Sequence, residues 1–169
     1  MASLRYGSVA RSGLISLLPL LQIVSHLVMG WKALSLVADT PYPAMIVITE
    51  SMVPAFNPGD ILFIVNRQDK IRVGDLPVAV LPNRPFPMIH RVVQILYETQ
   101  EGEDRELILT KGDNNEVDDT MLYPEGQRYI QRHEIVGFVR GYLPFLGWVV
   151  IFLQNPGRVV HALYTYINQ

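Results

Sequence analysis

From residue 12 to residue 31, between Arg11 and Lys32, the chain carries no Asp, Glu, Lys or Arg. About twenty helical residues cross the roughly 30 Å hydrocarbon core of a bilayer. The stretch therefore predicts a membrane-spanning helix over residues 13–31. Pro19 should kink it, and Gln22, Ser25 and His26 are polar; such groups are tolerated in a span where they face a neighbouring helix. A buried core helix would share the pattern, but the flanking charge favours a membrane. Arg5 and Arg11 precede the stretch, and the first acidic residue is Asp39. Positive charge ahead of a first span holds the N-terminus in the cytoplasm, which puts everything beyond about residue 32 on the far side. A cleaved secretory signal is the rival reading. No convincing small-x-small cleavage site follows the apolar run, and an uncleaved anchor is expected.

The rest of the composition agrees. Apolar residues make up 49% and charged residues 18% of the chain, more apolar than an ordinary soluble domain. The length, 169 residues, allows one domain with a small appendage. A net charge of −2 without a basic run argues against a nucleic-acid partner, which requires a basic stripe. The absence of Cys excludes disulfides, Cys-ligated zinc, iron–sulfur clusters and a Cys nucleophile.

Beyond Pro41 the pattern is mainly β. Strands are expected at 44–49, 61–65 and 76–81, the last demoted to an edge or a bulge by Pro77. A long strand is expected at 88–97, with His90, Val92, Gln94 and Leu96 on one face. Residues 99–106 read as a solvated hairpin tip, with 106–110 returning. Residues 111–119 are dense in Asn and Asp, which favour turns, and 125–134 has room for a short helix. A last strand, 135–142, contains glycines that suggest a bulge or a close backbone approach. Residues 143–153 are uncharged but too few to span a bilayer. Residues 158–167 read as a helix that lies on the membrane, docks on a partner or covers the core.

Seven serines occur, at 3, 8, 12, 16, 25, 35 and 51, so Ser51 is the only one beyond residue 35. It follows an apolar strand and precedes Pro54, a setting that fixes a side chain but also suits an ordinary turn serine. A serine hydroxyl needs a base to become a nucleophile. Lys70, Lys111, His90, His133 and His161 are the available candidates. His90 stands out because it interrupts an apolar run, although a structural histidine would do the same. A histidine base needs a third group to orient it, and residues 111–119 supply Asp113, Asp118 and Asp119. The same loop resembles half of a calcium site but lacks the central glycine and closing glutamate of an EF-hand, so no metal is expected.

Taken in order, Thr49-Glu-Ser51-Met-Val-Pro-Ala-Phe56, Pro58-Gly-Asp60, Ile89-His-Arg-Val92, Lys111-Gly-Asp-Asn-Asn115, Asp118-Asp119 and Gly137-Phe-Val-Arg-Gly141 resemble the catalytic subunits of endoplasmic-reticulum signal peptidases. The resemblance extends over nearly the whole chain. It implies a mainly β, signal-peptidase-like protease core with one N-terminal transmembrane helix and a short apolar C-terminal segment. It also implies a membrane-bound serine endopeptidase that needs no cofactor and cuts signal peptides from precursor proteins after small side chains. Bacterial relatives pair the serine with a lysine, whereas the endoplasmic-reticulum type has histidine at the place of His90. By this match Ser51 is the nucleophile, His90 the general base, Asp119 its orienting carboxylate and Asp113 a supporting one. The Ser51 backbone N–H would help form the oxyanion hole and Thr49 would assist it.

The implied layout is a cytosolic N-terminus (1–12), an anchor (13–31), a lumenal protease domain (32–142) and an apolar C-terminal segment (143–169) that meets the membrane surface or a partner. The implied partners are signal-peptide-bearing precursors, other subunits of a peptidase complex and the lipid bilayer. Two residues depart from the family's Ser-Gly-Ser-Met-Glu-Pro pattern: Glu50 replaces a glycine and Val53 a glutamate. A carboxylate beside the nucleophile would oppose a developing oxyanion if it pointed that way. These departures motivate an alternative, a weakly active or inactive paralogue that serves as a structural subunit.

Overall fold

The computed structural model of the chain describes residues 2–68, 70–82, 84–100 and 103–154. It divides into two units, one within residues 1–37 and one within 38–169. The first is the body of helix α1, Ala2–Ala38. The helix continues through Pro19 and runs seven residues past the predicted end at 31, because Lys32 is followed by good helix formers (Ala33, Leu34, Leu36). Its segment Ile15–Ala38 is the one helix among the described residues long and apolar enough to cross a membrane. From Ile15 to Val37 its large apolar side chains are exposed; Leu21, for example, is 60% exposed. Two of its polar groups are satisfied inside the helix: His26 Nδ1 donates to the Gln22 carbonyl at 2.6 Å, and the Ser25 hydroxyl points to Met29 Sδ.

The second unit is built on a five-stranded antiparallel sheet with order β1-β2-β7-β3-β4. Its strands are β1 (Ala44–Ile46), β2 (Ile61–Val65), β3 (Pro77–Ala79), β4 (Met88–Ile89) and β7 (Ile135–Leu143). A long hairpin of β5 (Arg91–Gln100) and β6 (Glu103–Lys111) stands beside it. The main core joins the two, with Ala79, Ile135 and Phe138 of the sheet packed with Val92 and Ile108 of the hairpin and with Ile130 and Tyr123. A smaller cluster, Met52, Phe56 and Leu62, lies under the turn after β1.

Four expectations are corrected. The predicted strand 88–97 is two strands in different sheets, broken at His90. Its single face is not kept either: a bulge between Val92 and Gln94 shifts the inward side from Val92 to Ile95, which packs on the core. The acidic stretch 99–106 is mostly strand rather than tip, and Glu98 lies opposite Arg105 in the hairpin register, a cross-strand pairing of opposite charges that suits a wet ribbon. The Pro77 strand is interior, between β7 and β4. It tolerates proline because Pro77 is its first residue, and the expected irregularity falls between Val78 and Ala79. The expected close approach in β7 is at Gly137, where a Cβ would come within 2.5 Å of Ile64 Cγ2.

The first part of the C-terminal segment forms helix α2, Gly147–Gln154, docked on the turn before β2. Buried Asp60 accepts from the Phe145 N–H and the Asn57 N–H, and Gly147 N–H donates to the Gly59 carbonyl. Trp148 covers Gly59, whose φ of +92° and lack of Cβ leave room for the indole. Val149, Phe152 and Leu153 remain exposed. The helix expected at 158–167, with His161, lies outside the described residues.

Candidate active site

Chain direction and turn chemistry place Ser51. After β1 the backbone turns through 49–55, closed by Val53 N–H to the Glu50 carbonyl and Phe56 N–H to the Met52 carbonyl. Met52 and Phe56 are buried and pin this turn to the core. The loop after β6 clamps it from the other side. Asn114 donates its N–H to the Ser51 carbonyl at 2.9 Å and its side-chain amide to the Glu50 carbonyl at 3.2 Å. Gly112 permits this approach, since a Cβ there would lie 2.7 Å from the Ser51 carbonyl oxygen.

His90 sits where the chain passes from the sheet into the hairpin and is 6% exposed. Its Nε2 lies 3.0 Å from Ser51 Oγ and its Nδ1 lies 2.7 Å from Asp119 Oδ2. A carboxylate only accepts, so Nδ1 carries the proton, Nε2 is left as an acceptor, and the Ser51 hydroxyl donates to it. Asp119 opens a 3-10 turn, Asp119–Met121, and is fully buried. Its Oδ2 also accepts from the Thr110 hydroxyl at 2.6 Å. Thr110 is in turn bonded to Tyr123, side chain to side chain at 2.9 Å and from its N–H to the phenolic oxygen at 3.0 Å. Burial pushes the Tyr123 phenol above its ordinary value, against the opposing pull of the Thr110 bonds, so it stays a donor.

Thr49 Oγ1 is 3.3 Å from Ser51 Oγ. Asp113 does not touch His90. Its two oxygens take a fork from Arg91, Nε at 2.8 Å and Nη2 at 2.6 Å, and this bond holds its carboxyl below the usual range. The third aspartate, Asp118, caps the 3-10 turn through Thr120. Among the other candidate bases, His133 lines a separate depression with Arg132 and Tyr97, and Lys70 another with Arg67 and Arg140. Ser51 and His90 instead share a cleft of about 450 Å³, walled by Ile46, Ile48, Met52 and Met88. Glu50 is exposed and is not among the residues that line this cleft.

Thr110, Tyr123, Arg91 and Asn114 were not singled out from the sequence. Arg91 and Asn114 stood inside the quoted motifs without a role of their own, and Thr110 left a separate signal: with Ile108 it continues the inward period of β6, so a polar side chain had to be buried and satisfied.

A serine, a histidine and a buried aspartate in one hydrogen-bonded line beside an apolar cleft form the arrangement of a serine hydrolase. No family model matches the chain. It is, however, 40% identical over 164 residues to the signal peptidase complex catalytic subunit sec11 of Schizosaccharomyces pombe, covering 86% of this chain and 85% of that one. It is 41% identical over 146 residues to the SEC11 catalytic subunit of Candida tropicalis, covering 86% of each. It is 42% identical over 142 residues to human SEC11C, of the same description, covering 83% of this chain and 72% of the relative. The chain belongs to the family of signal peptidase complex catalytic subunits and is a peptidase.

Proposed function

We propose that this chain removes signal peptides from secretory and membrane precursors, as the catalytic member of a multi-subunit complex in the endoplasmic-reticulum membrane. The observation that carries the mechanism is the line from Ser51 Oγ to His90 Nε2 to Asp119, at 3.0 and 2.7 Å. As Ser51 Oγ attacks the scissile carbonyl, its proton passes to His90 Nε2, and the new imidazolium is stabilised by Asp119. The oxyanion would meet the Ser51 N–H and the Thr49 hydroxyl. His90 then gives its proton to the leaving amine, freeing the mature protein. A water, deprotonated by His90, hydrolyses the acyl-enzyme and restores Ser51. Asp113 supports the site at one remove, by fixing Arg91 beside His90.

Residues 1–12 would remain cytosolic, with residues 13–31 of α1 as the anchor and residues 32–142 as the lumenal protease domain. The exposed apolar face of α2 within 143–169 suits contact with lipid or another subunit. A scissile bond just past a signal peptide's apolar helix lies near the lumenal surface, where an anchored protease already stands. The inactive-paralogue alternative is disfavoured, because the three side chains are joined and Glu50 stays out of the cleft wall. The test is cleavage of a signal-bearing precursor by the membrane-embedded complex with Ser51→Ala. Abolished cleavage with the complex intact is expected; normal cleavage overturns the assignment.

A further inference from the structure

We propose that Thr110 and Tyr123 are positioning residues for the reaction, forming a directed relay that fixes Asp119 and tempers its pull on His90. The inference rests on the reading of His90 as the general base. The direction of the relay follows from chemistry alone. The Asp119 carboxylate only accepts, so the Thr110 hydroxyl proton points to Oδ2. The Thr110 oxygen therefore accepts from the Tyr123 hydroxyl, and the phenolic oxygen accepts from the Thr110 N–H. Every proton in the chain is assigned, and the last donor is anchored to the backbone of β6.

Asp119 has little else to hold it. His90 and Thr110 both donate to Oδ2, while Oδ1 accepts no hydrogen bond from any described residue although it is buried. The rotation of the carboxylate therefore depends on one imidazole and one hydroxyl. The imidazole is the group that must change protonation in each turnover, so the hydroxyl is the constant restraint. It also draws off part of the carboxylate charge, because a short bond to an ionised acceptor is among the stronger hydrogen bonds. Without it, the undiluted charge of Asp119 would stabilise the His90 imidazolium more.

The charged and titratable groups around this pair come from several elements. Asp113, Arg91 and Lys111 lie on the His90 side, and Asp118 acts on Tyr123 from the 3-10 turn. Neither Thr110→Val nor Tyr123→Phe alters these charges, so a change in the pH profile reports the relay.

The experiment measures precursor cleavage by the intact membrane complex against pH for wild type, Thr110→Val, Thr110→Ser, Tyr123→Phe and Ser51→Ala. Thr110→Val is expected to lose roughly tenfold in kcat at little change in KM, as for the loss of one hydrogen bond to a charged group. Its acidic limb should move upward in pH. Tyr123→Phe should move it less in the same direction, and Thr110→Ser should restore both properties. Unchanged acidic limbs in Thr110→Val and Tyr123→Phe, with Ser51→Ala inactive, overturn the relay while leaving the serine mechanism standing. Should Thr110→Val fail to assemble, an unchanged limb in Tyr123→Phe overturns it alone. Normal cleavage by Ser51→Ala overturns the underlying reading instead.

Discussion

The two ends of the hydrogen-bonded line are built in opposite ways. At the base end, His90, Thr110, Asp119 and Tyr123 are all buried and hold one another through side-chain bonds. At the nucleophile end, Thr49 and Glu50 are exposed and Ser51 is half-buried, and the turn is held through its carbonyls and by buried Met52 and Phe56 rather than through the Ser51 side chain. The contrast matches the tasks proposed for the two ends. A base that gains and loses a proton needs a fixed, poorly solvated partner. A nucleophile that meets a polymer must stay open, so its restraint has to come from the backbone, which leaves the side chain free.

Breaking the buried end should cost most. Asp119→Asn keeps the shape but lets Nδ1 meet an amide, and with the wrong tautomer available cleavage should fall by about 10⁴-fold, measured as kcat on a signal-bearing precursor. Breaking the clamp at the open end comes next. Gly112→Ala sets a Cβ 2.7 Å from the Ser51 carbonyl oxygen, and backbone cannot yield as a side-chain tip can. A loss of about 2 kcal/mol in stability and of at least tenfold in cleavage is expected from denaturation and turnover assays.

The ion pair beside the site should matter less. Arg91 and Asp113 are 34% and 20% exposed, so Asp113→Asn should cost about 1 kcal/mol. Because Arg91 depresses the Asp113 pKa, that contribution is present above the ordinary aspartate value near 3.9. It is lost as pH falls through the depressed value. The melting temperatures of wild type and Asp113→Asn should therefore differ at neutral pH and converge in strong acid. Smallest of all, Glu50→Gly should change cleavage by less than about twofold, since an exposed side chain outside the cleft wall supplies little differential binding to the transition state. A large gain would show that the Glu50 carboxylate does reach the oxyanion.

The open end was the more legible in the sequence. Ser51 was marked by being the only serine beyond residue 35, and the turn by Pro54. The long apolar helix was legible from missing charge, though not its full length, since helix propensity carried α1 past Lys32 to Ala38. At the buried end, His90 stood out by interrupting an apolar run, Asp119 was chosen among three aspartates through the family resemblance, and their 2.7 Å contact depends on a chain break that periodicity hides. The run 88–97 reads as one strand because each half is β-branched and apolar, while the change of sheet at His90 is a tertiary event. The bulge after Val92 escaped for the same reason. Charges at 99–106 looked like a loop because the segment lacks the apolar alternation that identifies a strand.

The most direct test of the account is a double-mutant comparison of Ser51→Ala, His90→Ala and the two combined, measured as precursor cleavage by the intact complex. If serine and histidine act as one unit, each single change should remove nearly all acceleration, and the double variant should be no worse than the weaker single. Losses that multiply would contradict the account, because they would mean that Ser51 and His90 act independently.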